Sequence, residues 1–166
     1  MTIRRGKVHE YLRMDLDFSS AKTLKIGMIK YIKKICDNFP EEIKSAPATP
    51  AAEHLFNVCE DNKHKLLPAE QALAFHHTVA QLLSLGACAG PDTRTAVLFL
   101  CSRTRAPDED DWGKLKRVLK YLYGTKHMKL CLTADNLENI TWWVDASYVV
   151  HWDSRSHTGM VCDRSY

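Results

Sequence analysis

Thr141-Trp-Trp-Val-Asp145 and, further along, Thr158-Gly-Met-Val-Cys162 are the stretches that decide how the last part of the chain folds. The aromatic and β-branched residues from Ile140 to Val144 predict a buried strand. Residues 158–162 predict its partner, reached through a polar loop. Residues 129–133 predict a short strand that we expect to pair with the 140–144 strand as a hairpin. The chain is therefore expected to end in a small β-sheet.

Asp145 follows directly after the predicted 140–144 strand. A carboxylate delivered to the end of a hydrophobic strand is typical of divalent-metal nuclease sites. Such sites need several carboxylates, because two Mg²⁺ ions about 3.5–4 Å apart must both be held by oxygen ligands. The sequence offers Asp145 as the one candidate catalytic and metal-binding residue, so the site is expected to be incomplete. An ordinary acid at a strand end is the alternative.

Composition predicts a globular protein of the cytoplasm or nucleus. Hydrophobic residues make up 45% of the 166 residues and charged residues 26%. The six cysteines include no CxxC pair, which favours reduced thiols in an intracellular protein. The N-terminus is too polar for a signal peptide, and no apolar run approaches the roughly 18 residues of a membrane span. No membrane partner is expected.

Positive charge is concentrated in one segment. The net charge is +3, yet residues 112–130 contain six basic residues and no acidic one. Such a segment indicates nucleic acid as a partner, although a solvated helix face has the same composition. The candidate contacts to nucleic acid are Lys114, Lys116, Arg117, Lys120 and Lys126.

The N-terminal part predicts a β-hairpin followed by a helix. Residues 7–18 alternate apolar and polar side chains and predict one half-buried strand, which Ser19 to Lys22 would turn toward a second strand at 23–28. Asp15 and Asp17 share a face of the first strand, either as metal ligands or as its solvent side. The next helix is expected to bury Met28, Ile32, Ile35 and Phe39 and to stop at Pro40.

Three further helices are predicted after a linker and loop at 45–67. The first begins at Pro68, ends near Gly86 and is expected to bury Leu73, Val79, Leu82 and Leu83. The second runs from Pro91 to about Arg105. The third has Asp108 as its N-cap and Gly124 as its stop, and its apolar stripe is Trp112, Leu115, Val118, Leu119 and Leu122.

These elements define an α+β chain in four segments. Residues 1–44 hold the hairpin and first helix, 45–67 the linker and loop, 68–125 the helical part, and 126–166 the C-terminal strands. The helical middle of the chain is expected to contain about four helices. The C-terminal sheet is expected to be incomplete, and its exposed edge is a candidate for association with another chain.

Taken together, several motifs resemble the reverse transcriptase of copia-like LTR retrotransposons. The first is His9-Glu-Tyr-Leu-Arg-Met-Asp-Leu-Asp17, similar to a strand that follows the family's polymerase active site. In the same order along the chain follow Ala48-Thr-Pro50, Phe75-His-His-Thr-Val-Ala-Gln-Leu-Leu83, Gly90-Pro-Asp-Thr-Arg-Thr-Ala-Val97, Asp111-Trp112 through Leu119-Lys-Tyr-Leu-Tyr-Gly-Thr125, and Val144-Asp-Ala-Ser-Tyr148 with Ser156-His-Thr-Gly159.

The resemblance implies a palm end in 1–44, a thumb-like or connection-like helical region in 68–125, and the start of a ribonuclease H-type sheet in 126–166. It also implies that the first hairpin helps to grip the primer end, that Asp145 is the first Mg²⁺ ligand, and that the partner is an RNA–DNA hybrid or duplex. Three positions depart from the family pattern. Arg13 stands where the family has Gly, Gly90 where it has Arg, and Ser147 where it has a second acid. If the family Gly serves an unusual backbone conformation, Arg13 is expected to be strained.

Two hypotheses about function remain open. In the first, the chain is a fragment of an RNA-directed DNA polymerase with ribonuclease H, without a complete polymerase or ribonuclease H site and inactive alone. In the second, it is a non-catalytic module that binds nucleic acid independently of sequence through the basic helix 112–126. A chain with no activity as expressed is a third possibility.

Overall fold

In its described part the chain forms a four-stranded antiparallel sheet, helices that pack on one another, and a two-stranded antiparallel ribbon. The structure, a computed structural model, describes residues 5–44, 47–58, 65–133, 141–147 and 157–163. In the last two ranges it describes the backbone, together with the side chains of Val144 and Ala146. The predicted α+β class is confirmed.

The first three strands form a meander, not the single predicted hairpin. The strands are β1 (Val8–Tyr11), β2 (Met14–Asp17) and β3 (Thr23–Gly27). The prediction of one strand over 7–18 was wrong, because Leu12 and Arg13 reverse the chain between β1 and β2. Their φ angles are 47° and 68°, and two consecutive positive φ values characterise a tight hairpin turn. Apolar residues continue to alternate through this turn, so the sequence pattern did not indicate that the strand was interrupted.

Arg13 has a φ of 68°, a backbone conformation that is strained for a residue with a side chain. A non-glycine residue in the left-handed region costs roughly 1–2 kcal/mol. The guanidinium carbon of Arg13 lies 5.0 Å from the centroid of the Tyr31 ring, so a cation–π contact offsets part of this cost.

Helix α1 (Ile29–Asn38) follows β3 directly and buries the predicted stripe. Met28, Ile32, Ile35 and Phe39 are all buried, as the helical spacing predicted. The Phe39 ring stacks on Trp112, with 4.8 Å between the ring centroids. This contact joins the end of α1 to the last long helix.

Helices α2 (Ala69–Cys88), α3 (Arg94–Arg103) and α4 (Glu109–Thr125) form the helical part, and a 3-10 turn at Pro91–Thr93 leads into α3. The five apolar residues predicted for α4 are all buried: Trp112, Leu115, Val118, Leu119 and Leu122. Gly124 was wrongly predicted as the stop of α4, since the helix continues through it to Thr125.

Leu73 and Leu83 were also predicted incorrectly. They are 56% and 44% exposed, whereas Val79 and Leu82 are buried as predicted. The face of α2 that packs inward is set by α3, with which α2 shares its largest helix contact. Phe75, Thr78, Val79, Leu82 and Leu85 follow the helical repeat on that face, and Leu73 and Leu83 lie outside it.

Gly90, before α3, has a steric reason to be glycine. A Cβ at this position would lie 2.9 Å from Cδ2 of Leu85 and 3.2 Å from the hydroxyl of Thr93. The first distance is too short for two carbon atoms, so a larger residue would displace the buried Leu85.

Strand β4 (Leu130–Thr133) pairs with β3, with Ile26 opposite Leu130 and Thr23 opposite Thr133. The predicted hairpin of this strand with the 140–144 strand was therefore wrong. Strand β5 (Thr141–Ser147) instead pairs antiparallel with β6 (His157–Asp163), as predicted for these two stretches. The loop between β5 and β6 lies outside the described residues.

Candidate nucleic-acid interface

Helix α4 presents the basic segment, and a network of charges fixes where the helix begins. The Asp108 side chain accepts a hydrogen bond from the backbone N–H of Asp111 (2.8 Å), and the Asp111 carboxylate accepts one from the N–H of Asp108 (3.1 Å). This reciprocal arrangement is a capping box. The acids at the start of α4 thus serve the helix terminus, as predicted.

Arg103 completes this network from the end of α3. Its Nε lies 3.0 and 3.1 Å from the two carboxylate oxygens of Asp111, and its Nη2 lies 3.5 Å from Asp108. Burial raises the pKa of the Asp111 carboxyl, while the Asp108 N–H and the Arg103 charge act in the opposite direction. The start of α4 is therefore anchored to α3, and the basic residues that follow have defined positions.

Lys114 is buried rather than presented to solvent. Its Nζ lies 2.8 Å from Asp110, donates to the carbonyl oxygen of Asn57 at 2.7 Å, and lies 4.9 Å from the centroid of the Phe99 ring. A buried lysine with these contacts holds the 47–58 segment against α4. Reaching a phosphate would require breaking all of them.

Lys116 is partly neutralised by Glu41. Its ammonium group forms a short ion pair with the Glu41 carboxylate, which also accepts a hydrogen bond from the Trp112 indole at 2.6 Å. These two hydrogen bonds, and after them the charges of Lys116 and Lys120, lower the pKa of the Glu41 carboxyl. Glu41 belongs to the segment after α1, so the pair is a contact between distant parts of the chain.

Arg117 faces the same segment of chain as Lys114. Its Nη2 donates to the hydroxyl of Thr49 at 3.1 Å, while its Nε is buried and has no hydrogen-bond partner. Lys114, Lys116 and Arg117 are thus all engaged within the molecule, each to a different degree.

Of the five predicted cations, Arg117, Lys120 and Lys126 make no ion pair within the described part of the chain. The ammonium group of Lys126 lies 3.7 Å from the centroid of the Tyr123 ring, which is 38% exposed. Tyr123 is one helical turn beyond Lys120. We refer to Lys120, Tyr123 and Lys126 as the α4 basic face.

Helix α1 also carries exposed positive charge. Lys33 and Lys34 are exposed on the side of α1 opposite its buried stripe, and α1 packs on α4. The α4 basic face reaches α1 at Cys36. Burial raises the pKa of the Cys36 thiol to about 11, and the charge of nearby Lys126 acts against this rise. The sequence-based prediction did not include Lys33 and Lys34, although two adjacent lysines were the available signal.

The acidic candidates do not assemble a metal centre within the described residues. No three side chains of His, Cys, Asp or Glu come together there. Asp17 accepts a hydrogen bond from the N–H of Ser19 at 2.9 Å and lies 3.7 Å from Lys129, so it has a structural role at the end of β2. Asp145 lies in β5 opposite Gly159, and its side chain is outside the described part. The prediction for Asp145 therefore stays a prediction.

No protein-family model matches the chain, and no solved structure matches it. None of the described helices has the length and apolarity to cross a membrane.

Proposed function

We propose that this chain corresponds to part of a copia-like reverse transcriptase with ribonuclease H, and that it holds nucleic acid without catalysing a reaction. The observation that carries the binding proposal is the α4 basic face. There Lys120 and Lys126 make no ion pair within the described residues and lie beside an exposed tyrosine, while Lys114 and Lys116 are paired. The proposal implies a location in the cytoplasm or nucleus.

The turn between β1 and β2 supports the resemblance to this family. Arg13 occupies the position where the family has Gly, and its φ of 68° is one that favours glycine. The family has Gly at this position, and the backbone conformation found there is one that glycine adopts without strain. The Gly90 position gives no similar support, because its glycine has a local steric reason.

Binding through the α4 basic face would be electrostatic and independent of sequence. Lysine ammonium groups would contact phosphates, and the Tyr123 ring offers a surface on which a base can stack. Each phosphate neutralised contributes about −0.9 to the slope of log affinity against log salt for a duplex. Two lysines therefore predict a slope of about −1.8.

Catalysis is assigned to the parent protein. Asp145, which lies within β5, would be the first ligand of a Mg²⁺ pair in a complete ribonuclease H-type sheet. That pair needs further carboxylates, and none gathers in the described residues. The ribbon of β5 and β6 would be the first part of such a sheet. Val144, which is 66% exposed, gives it an apolar edge region for association with other strands.

The test is the affinity of the chain for a fluorescently labelled RNA–DNA hybrid, measured by anisotropy over a range of salt. Replacing both Lys120 and Lys126 with Gln should weaken binding about 10-fold and make the salt slope less negative by roughly 1.8. Arg105→Gln removes an exposed charge at the other end of α4 and is the matched control. Equal losses for the control and the double variant, or affinity that does not change with salt, would exclude the α4 basic face.

A further inference from the structure

A cavity of about 220 Å³ lies between the 50–55 segment and the first two turns of α4. Its wall includes His54 from the loop and Asp110, Lys114 and Arg117 from the helix, together with Gly113. A Cβ built on Gly113 would meet no atom within 4 Å, so the cavity is open above this residue. The absence of a side chain at position 113 makes room for a small ligand.

The hydrogen bonding of the Arg117 guanidinium is incomplete. Of its donors, Nη2 reaches the exposed Thr49 hydroxyl at 3.1 Å, and the buried Nε reaches no acceptor. A buried donor without an acceptor is unfavourable, and charged donors lose the most. A modest rotation that turns Nε toward the cavity would break only the bond to Thr49. The side chain thus gains by meeting an anion there.

The charge in the cavity favours an anion despite the nearby carboxylate. Asp110 is paired with Lys114 at 2.8 Å, so their charges largely cancel. Arg117 has no carboxylate partner within the described residues and leaves a net positive wall. His54 at the same wall is exposed and can donate a further hydrogen bond.

We propose that this cavity binds one phosphate-like oxyanion, with Arg117 as its anchor. The planar guanidinium presents two parallel N–H groups that match the spacing of phosphate oxygens. The phosphate has two candidate sources, namely free phosphate and the backbone of a bound nucleic acid. The second source rests on the proposed function, and the first does not.

The first experiment is calorimetric titration of the full chain with inorganic phosphate at constant ionic strength. We expect saturable binding of one phosphate with a Kd on the order of 1 mM. Arg117→Gln should raise that Kd at least about 10-fold, the loss expected for a charge-assisted hydrogen bond. Arg105→Gln alters an exposed cation outside the cavity and should leave the Kd unchanged. Absence of saturation in the parent chain, or an unchanged Kd in Arg117→Gln, would overturn the proposal.

Gly113→Leu gives a second variant that leaves the Arg117 side chain intact. Leucine should occupy the cavity and abolish phosphate binding, while its better helix propensity preserves or raises the stability of α4. This variant keeps the test decisive if Arg117→Gln fails to fold. Undiminished phosphate binding by Gly113→Leu would place the anion elsewhere.

The source of the phosphate is resolved by repeating the anisotropy measurement with the same two variants. If the backbone of nucleic acid supplies it, both variants should weaken hybrid binding and inorganic phosphate should compete with the hybrid. If free phosphate is the ligand, both variants should lose phosphate binding and keep the parent's behaviour toward the hybrid. Phosphate binding in a chain that binds no hybrid would remove the proposed function and leave this site in place.

Discussion

Arg103 is the side chain on which the start of α4 most depends. It contacts Asp111, whose side chain is only 2% exposed, and it reaches Asp108 as well. A buried carboxylate deprived of its cation is far less favourable than an exposed one, because no water can replace the lost partner.

Arg103→Ala is therefore expected to lower the free energy of unfolding by about 3 kcal/mol. Urea denaturation followed by tryptophan fluorescence measures this, since Trp112 lies directly after Asp111. Arg105→Ala, an exposed arginine two residues away, should change stability by less than about 0.5 kcal/mol. A similar small effect for Arg103→Ala would mean that Asp111 is satisfied without it.

Glu41 gives the fold a dependence on pH. Its pKa in the folded chain is lowered from the ordinary 4.5 by its hydrogen bonds to Lys116 and Trp112. The unfolded chain therefore takes up the proton more readily, so the contribution of Glu41 to stability is present above pH 4.5 and is lost as pH falls through the lowered pKa.

Glu41→Gln should accordingly lose less of its folding stability than the parent does as the pH falls. The variant is expected to be less stable than the parent at pH 6, by less than about 1 kcal/mol for this partly exposed pair, and closer to the parent in stability at pH 3. Parallel urea curves at the two pH values measure the effect. Glu42→Gln, whose carboxylate pairs only with the neighbouring exposed Lys44, is the control. A difference between Glu41→Gln and the parent that is the same at both pH values would contradict this role.

The turn between β1 and β2 places two non-glycine residues in a backbone conformation that they disfavour. Leu12 has a φ of 47° and is 70% exposed, so it has the strain of the left-handed region with little packing in return. Asparagine tolerates this conformation far better than leucine does, which explains its frequency in such turns.

Leu12→Asn is expected to raise the free energy of unfolding by about 0.5–1 kcal/mol, because it relieves strain and loses few contacts. Leu73→Asn makes the same chemical change on an exposed helical residue and should lower it by a few tenths of a kcal/mol. Thermal unfolding of the three chains compares them directly. Destabilisation by both substitutions would show that Leu12 packs usefully.

Helix α4 could be predicted from sequence because its signals are local. Asp108 caps it, and the spacing from Trp112 to Leu122 defines its buried face. The adjacent Leu82 and Leu83 of α2 could not be ranked in the same way, since only the position of α3 decides which of them is buried. Lys114 was the least predictable, because a lysine is rarely buried and only Asp110, one turn earlier, gave any sign of it.

Across the whole molecule, long-range pairings were the part that sequence did not reveal. A strand such as β4 has an apolar pattern that suits several partners, and proximity along the chain favoured β5. The observed partner β3 is separated from β4 by the whole helical part of the chain, so proximity along the sequence does not indicate this pairing. The candidate site shares this limit, since Glu41 meets Lys116 only after α1 has packed on α4.

The pairing of β3 with β4 also bears on how the chain emerges from a ribosome. Ile26 pairs with Leu130, which is synthesised roughly 100 residues later, so until then β3 has no neighbouring strand on that side. During vectorial synthesis the edge of β3 leaves the exit tunnel without its partner strand, and it stays unpaired until β4 has emerged as well. A nascent chain that stalls before this point would expose a strand edge with unpaired backbone groups, which is the kind of surface that holdase chaperones recognise.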